Sequence, residues 1–81
     1  MKVEVLFFAQ LREVLGTDRE TIDMEDKAVV RDVVSVFSSR PQWRGVAEMP
    51  LSFAVNEVFV PDTHALADGD RVAILTPVSG G

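Results

Sequence analysis

The sequence predicts one small α+β domain, in which a mixed sheet of about five strands is covered on one face by one main helix. Its 81 residues are enough for a single core and too few for two domains. Short segments that alternate polar and apolar residues indicate strands near both ends, and a segment between them has helical periodicity. Because one helix covers only one face of a sheet, we expect the other face to stay open.

A strand, a short helix and a second strand are predicted near the start of the chain. Residues 2–8, KVEVLFF, alternate and place Val3, Val5 and Phe7 on one face. Residues 9–15, AQLREVL, have apolar positions at helical spacing and are followed by a glycine, which is typical of a helix end. Residues 19–24, RETIDM, have the composition of a strand that can pair antiparallel with the first.

The main helix is predicted within AVVRDVVSVFSSRP. Its buried face follows the spacing i, i+3, i+4, i+7 through Val30, Val33, Val34 and Phe37, and Pro41 closes it. The negative charges of Glu25 and Asp26 precede this helix, where they would complement its dipole. Residues 38–50 are expected to form an irregular connection, with Trp43 folded back as an apolar lid on the core.

Three more strands complete the predicted domain. Residues 51–55, LSFAV, alternate as a strand, and a tight turn at Asn56 and Glu57 leads into 58–60, VFV. A turn at Asp68-Gly69-Asp70 begins the last strand, 71–75, RVAIL. We therefore expect a folded domain over residues 1–75 and an extended, flexible tail over residues 76–81.

Composition excludes several classes of function. The 13 acidic residues outnumber the eight Lys and Arg residues, and the net charge of -5 would repel nucleic acid. No apolar run is long enough to span a membrane and no signal peptide is evident, so we expect a cytoplasmic protein. The absence of cysteine removes disulfides, thiolate catalysis and most zinc sites.

Few side chains have the pattern of a catalytic or cofactor site. The only histidine, His64, has no second ligand at metal-site spacing, and Asp68 and Asp70 are typical turn residues. The scattered glycines form no phosphate-binding loop. We therefore expect no bound cofactor or metal, and no enzymatic activity of the chain on its own.

Strand parity instead predicts an exposed apolar patch. Phe8 and Leu75 fall on the outward faces of the first and last strands, and Phe59 shares an outward face with Glu57. If the first and last strands lie side by side, Phe8, Phe59 and Leu75 form an uncovered patch, which is typical of a partner surface. The alternative is that residues 38–50 cover this patch.

The tail, TPVSGG, carries no charged side chain and stops on Gly80 and Gly81. Two glycines are thin enough to thread a narrow channel, and Pro77 limits flexibility behind them. The α-carboxylate of Gly81 is a poor electrophile until it is activated. Because the chain has no nucleotide site, activation would require ATP and a second protein.

These features resemble the ubiquitin-like β-grasp group. Within it the chain closely resembles the MoaD family, the small sulfur-carrier subunits of molybdopterin synthase. The resemblance covers nearly the whole chain and is carried by VLFFAQLREVLGTD near the start, AVN at 54–56, DGDRVAI at 68–74 and PVSGG at the end.

The resemblance implies a complete sulfur-transfer cycle. Gly81 would be adenylated with ATP by a ubiquitin-activating-type adenylyltransferase and converted to a thiocarboxylate by a sulfurtransferase. The tail, with Gly80, would then enter the active site of the large synthase subunit and donate sulfur to a pterin precursor during molybdenum cofactor biosynthesis. The synthase would be a heterotetramer. Partner-facing positions of the family match Phe8, Phe59, Leu75, Pro77, Val78 and Ser79.

Two other functions share the same ending. A ubiquitin-like modifier would be joined through Gly81 to lysines of other proteins. A sulfur carrier of the thiamine pathway would use the same thiocarboxylate for a different product. The carriers of that pathway are generally shorter than this chain and lack an obvious FFAQLRE segment.

Overall fold

The computed structural model of the chain describes residues 1–46 and 48–76. Residues 77–81, on which the predicted tail chemistry falls, lie outside the described residues. The elements, in chain order, are β1 (Lys2–Phe7), α1 (Ala9–Leu15), β2 (Arg19–Asp23), α2 (Val30–Ser38), a 3₁₀ turn (Pro41–Trp43), β3 (Ser52–Val55), β4 (Val58–Val60) and β5 (Arg71–Leu75). The 3₁₀ turn lies where sequence predicted an irregular connection, and the other elements match their predicted positions within a few residues.

The five strands form one mixed sheet in the order β2-β1-β5-β3-β4. The central pair, β1 and β5, is parallel, and the other three pairs are antiparallel. In the parallel pair Val5 lies opposite Val72 and Phe7 opposite Ile74. The first and last strands therefore lie side by side, and the predicted α+β class is confirmed.

The core lies between the sheet and α2. The sheet contributes its inward residues and α2 contributes one face, all almost fully buried: Val3, Val5, Phe7, Val72, Ile74, Val30, Val33 and Phe37. Trp43 is 1% exposed and stacks on Phe37, with ring centroids 5.2 Å apart. The edge of Phe7 meets the Phe37 ring at 5.4 Å. The prediction of Trp43 as a lid on the core is confirmed.

The predicted turns are formed as expected. Asn56 and Glu57 both have positive φ, 50° and 73°, which matches a tight primed turn between β3 and β4. Gly69 has a φ of 86° in the turn before β5. The Asp70 carboxylate accepts hydrogen bonds from the Ala67 amide, at 2.8 Å, and from the Asn56 side chain, at 3.0 Å. Asp70 is thus a turn residue that links the turn before β5 to the turn between β3 and β4.

The acidic residue in the first turn of α2 is not one of the two that the sequence predicted to complement the helix dipole. The helix begins at Val30, so Glu25 and Asp26 precede its first turn. A helix dipole acts within the first turn, and the acidic residue there is Asp32. Its carboxylate accepts a hydrogen bond of 2.8 Å from the Val29 amide. Asp32 therefore has the role that the sequence assigned to the two earlier carboxylates.

No helix within the described part of the chain has the length and apolar character needed to cross a membrane.

Candidate functional site

The sheet face opposite α2 carries the residues that strand parity predicted to point outward. Cross-strand partners point to the same side of a sheet. The register aligns Phe59 with Ala54, Ala54 with Ala73, and Ala73 with Leu6, which makes one row across four strands. Leu75 lies one pleat further along β5, on the same face. We call this surface the open face.

A depression lies at the centre of the open face. Its apolar lining consists of Leu6, Phe8, Ala54, Ala73 and Leu75, and its polar rim of Asn56, Glu57, Gly69 and Arg71. The two alanines lie at the centre of the row, and their small side chains leave the space that larger neighbours surround. The depression is therefore a concave apolar surface with charged side chains at its rim.

The three residues predicted as a patch lie on this face. Phe8 is 48% exposed and Phe59 is 73% exposed, whereas Leu75 is half-buried. Phe8 follows β1 with an extended backbone, φ -121° and ψ 154°, so the strand alternation continues through it. The register that pairs Phe7 with Ile74 brings Phe8 beside Leu75. Phe59 stands at the other end of the row on the edge strand β4.

The connection after α2 does not cover the open face. Trp43 and Val46 are buried in the core cluster, on the side of the sheet that α2 covers. None of the described residues of this connection lines the depression. The alternative that residues 38–50 cover the patch is therefore wrong for the described part of the connection.

Charged groups border the apolar part of the open face. Arg71 Nε lies 3.1 Å from Glu4 Oε1, and Arg19 Nη1 lies 3.8 Å from Glu4 Oε2. The register places Glu4 opposite Arg71 on the parallel pair. Strand alternation places Glu4 and Arg71 on the outward face of their strands. Their contact, however, depends on the pairing of β1 with β5, which lie at opposite ends of the chain. Sequence reasoning did not identify this cluster.

The remaining candidate residues have structural explanations or lie outside the described residues. The main-chain carbonyl of His64 accepts a hydrogen bond of 3.0 Å from the Val30 amide, which ties this loop to the start of α2. Within residues 1–46 and 48–76, no group of three His, Cys, Asp or Glu side chains could hold a metal ion. Pro77, Val78, Ser79, Gly80 and Gly81 lie beyond the last described residue, so their roles stay predictions.

The position of the open face relative to the chain's end is defined up to Thr76. Strand β5 lies between β1 and β3 and ends at Leu75. The chain therefore leaves the sheet from a central strand, beside Phe8. Any segment that continues from this point starts at the apolar end of the depression.

Comparison with known proteins identifies the family. Residues 5–81 match the ThiS family. The chain belongs to the ThiS family. Two relatives are each named molybdopterin synthase sulfur carrier subunit. This ThiS-family chain is 39% identical to the one from Escherichia coli, over 98% of its own length and 99% of the relative. It is 38% identical to the one from Chlamydomonas reinhardtii, over the full length of both. The predicted resemblance to this class of subunit is confirmed.

Solved structures confirm the ubiquitin-like β-grasp fold. SAMP1 from Haloferax volcanii, a small archaeal modifier protein, matches the ThiS-family chain with a TM-score of 0.85, at 27% identity over all of both chains. A ubiquitin from Caldiarchaeum subterraneum matches with a TM-score of 0.62 over all of this chain and 98% of its own. At 18% identity, this second likeness shows the shared fold alone.

Proposed function

We propose that this chain is the sulfur carrier of molybdopterin synthase and that it carries sulfur as a thiocarboxylate on Gly81. The observation that carries the proposal is the full-length similarity to two proteins named molybdopterin synthase sulfur carrier subunit. The open face supports it, because a carrier must dock on the protein that receives its cargo. In this role the chain is the sulfur-donating subunit of a complex and needs no catalytic site of its own.

Sulfur would be loaded on Gly81 in two steps on partner proteins. An adenylyltransferase of the ubiquitin-activating type joins the ionised carboxylate to AMP from ATP and releases pyrophosphate. A sulfurtransferase then supplies sulfur at the oxidation level of sulfide, released from its persulfide by a thiol reductant, and this sulfur attacks the acyl carbon. The carbon–sulfur bond forms as the carbon–oxygen bond to AMP breaks. ATP is used by the activating partner, and the carrier binds no cofactor.

Sulfur would be delivered in the active site of the large synthase subunit. Phe8, Phe59 and Leu75 dock on that subunit, and the tail reaches the pterin precursor. Gly80 and Gly81 suit a narrow channel because they have no side chains. Pro77, Val78 and Ser79 lie between the docking face and the reactive end, where they contact the channel wall.

The proposal is tested by intact mass. The purified chain is incubated with its activating enzyme, ATP and a sulfur donor, and its mass should rise by the difference between sulfur and oxygen. A variant that lacks Gly81 is the matched control and should keep its mass, as should the full chain without ATP. No shift with any activating partner would contradict the proposal.

A second candidate is a protein modifier, and the structural likeness to small archaeal modifier protein 1 favours it. As a modifier, the chain would be found in isopeptide-linked adducts in cell extracts, which blotting detects. With Lys2 and Lys27 as its only lysines, it is poorly suited to chains built on itself.

Genetic complementation distinguishes the proposed function from that of a thiamine-pathway sulfur carrier. The gene should restore molybdenum cofactor synthesis in a strain that lacks its own carrier, and it should fail to restore thiamine synthesis in a strain that lacks the thiamine-pathway carrier.

A further inference from the structure

We propose that Arg71 determines partner specificity on the open face, by receiving a carboxylate of the protein that docks there. The proposal rests on the proposed function, because it takes the large subunit of molybdopterin synthase as that partner. It adds a requirement that the apolar patch alone does not make: the partner must present an acidic side chain at a defined place.

Arg71 lies at the end of the depression away from the tail. It is the first residue of β5, and its side chain lines the same depression as Ala73 and Leu75. Leu75 is four residues further along the strand, a length of roughly 13 Å. The apolar contacts at Phe8, Phe59 and Leu75 are non-directional. A charged contact at Arg71 adds a directional one at the end of the depression away from the tail.

The charge at this position is available to a partner. The Arg71 side chain is 69% exposed and contacts Glu4 through Nε. Among the described residues, no hydrogen bond is made by its two terminal nitrogens. Glu4 also contacts Arg19, which in turn lies 3.8 Å from Asp18, so the charges of these four side chains balance. Of the four, Arg71 is the one whose side chain lines the depression. A guanidinium with a free edge is well suited to bind a carboxylate through two parallel hydrogen bonds.

The surrounding charges restrict where the partner's carboxylate can lie. Glu57 also lines the depression, next to Asn56, whose side-chain oxygen accepts a hydrogen bond from the Arg71 amide, and the charge of Glu57 would repel the partner's carboxylate. The net charge of the whole chain is -5, and Arg71 is the only cationic side chain among the described residues that line the depression. Electrostatic complementarity of this kind governs the choice of partner and the association rate more than it governs total affinity.

The test measures the Kd for the large subunit from the same organism by calorimetry, at low salt and in ~1 M salt. Arg71→Glu should weaken binding by about tenfold or more at low salt, because it places like charges together. Arg71→Ala introduces no repulsion beside Glu4 and should weaken binding about two- to fivefold. Both effects should shrink in high salt, which screens exposed charges.

The matched control is Arg44→Glu. It changes the net charge of the protein by the same amount, at an exposed residue that follows Trp43 and belongs to the connection on the α2 side of the sheet. Its Kd should stay within about twofold of the wild-type value. Thermal unfolding of each variant shows that the domain is intact. Replacing one acidic residue of the large subunit by lysine should restore binding of Arg71→Glu.

The outcomes separate this inference from the proposed function. If the wild type binds, Phe59→Asp weakens binding by about 30-fold or more and Arg71→Glu behaves like Arg44→Glu, the role of Arg71 is overturned and the docking face stands. If the wild type binds no molybdopterin synthase large subunit, the proposed function and the role of Arg71 both fall. If Arg71→Glu lowers affinity equally at low and high salt, the electrostatic role is overturned.

Discussion

The carboxylate of Glu20 accepts two hydrogen bonds from the guanidinium of Arg40, at 2.7 Å and 2.6 Å. The pair joins β2 to the segment that follows α2, and Arg40 also lies over the Phe37 ring at 4.7 Å from its centroid. The hydrogen bond to Arg40 lowers the pKa of Glu20 below its ordinary value of 4.5; the attraction of the Arg40 charge lowers it further, and partial burial opposes both. The same hydrogen bond raises the pKa of Arg40.

This pair predicts a pH-dependent contribution to stability. A carboxyl group whose pKa is lowered in the folded state stabilises the fold above its unfolded pKa, and that stability is lost as pH falls through the folded pKa. Because the pair is partly exposed, we expect Glu20→Gln to lower the free energy of unfolding by about 1 kcal/mol at pH 7. The difference from wild type should shrink as pH falls below about 4.5. This difference in the free energy of unfolding is measured by urea unfolding, monitored by circular dichroism at each pH.

Glu13→Gln is the control for that experiment, since Glu13 is an exposed glutamate on α1. Its free energy of unfolding should stay close to the wild-type value. A Glu20→Gln difference that stays constant between pH 7 and pH 3 would contradict the assignment, because a salt bridge cannot persist after the carboxylate is protonated.

The stacked pair of Trp43 and Phe37 predicts a loss of stability when the indole is reduced in size. Trp43→Phe leaves a gap above the core and weakens a stacked contact, so we expect the free energy of unfolding to fall by about 1–3 kcal/mol. Val36→Ala, at an exposed position of α2, should change it by less than ~0.5 kcal/mol. Circular dichroism is the required probe, since the variant has no tryptophan fluorescence. Equal stabilities would mean that Trp43 is not part of the core.

Local patterns were sufficient for the strands, α2 and the outward parity of the open face. Phe8 is instructive: it lies just past β1, yet its prediction as outward-facing held because its backbone stays extended. The contact between Glu4 and Arg71 could not be predicted in the same way. It depends on a parallel register between segments at opposite ends of the chain, and no local periodicity contains that register. The pair of Glu20 and Arg40 was also missed, because it joins a strand to a connection 20 residues later and local periodicity does not contain that contact.

The turn between β3 and β4 predicts a substitution that stabilises the fold. Glu57 has a φ of 73°, a left-handed conformation that disfavours residues with a Cβ atom. Glu57→Gly would create the Asn-Gly pair that this type of turn favours, and we expect the free energy of unfolding to rise by about 0.5–1 kcal/mol. Glu57→Ala removes the same charge while keeping the strain, so it should give no such gain. If both variants have the same stability, the strain at this turn is not significant.

Phe59 and its neighbour Val58 allow the most direct test of whether the open face is the docking surface. Val58 is 63% exposed and Phe59 is 73% exposed, but alternation points them to opposite sides of the sheet. Phe59→Asp should weaken binding to the large subunit by at least ~2 kcal/mol, about 30-fold in Kd, as expected for an aromatic interface anchor, and Phe8→Asp should act similarly. Val58→Asp introduces the same charge one residue away and should leave the Kd nearly unchanged. Equal losses for Phe59→Asp and Val58→Asp would mean that binding follows charge at the β4 edge and not the open face.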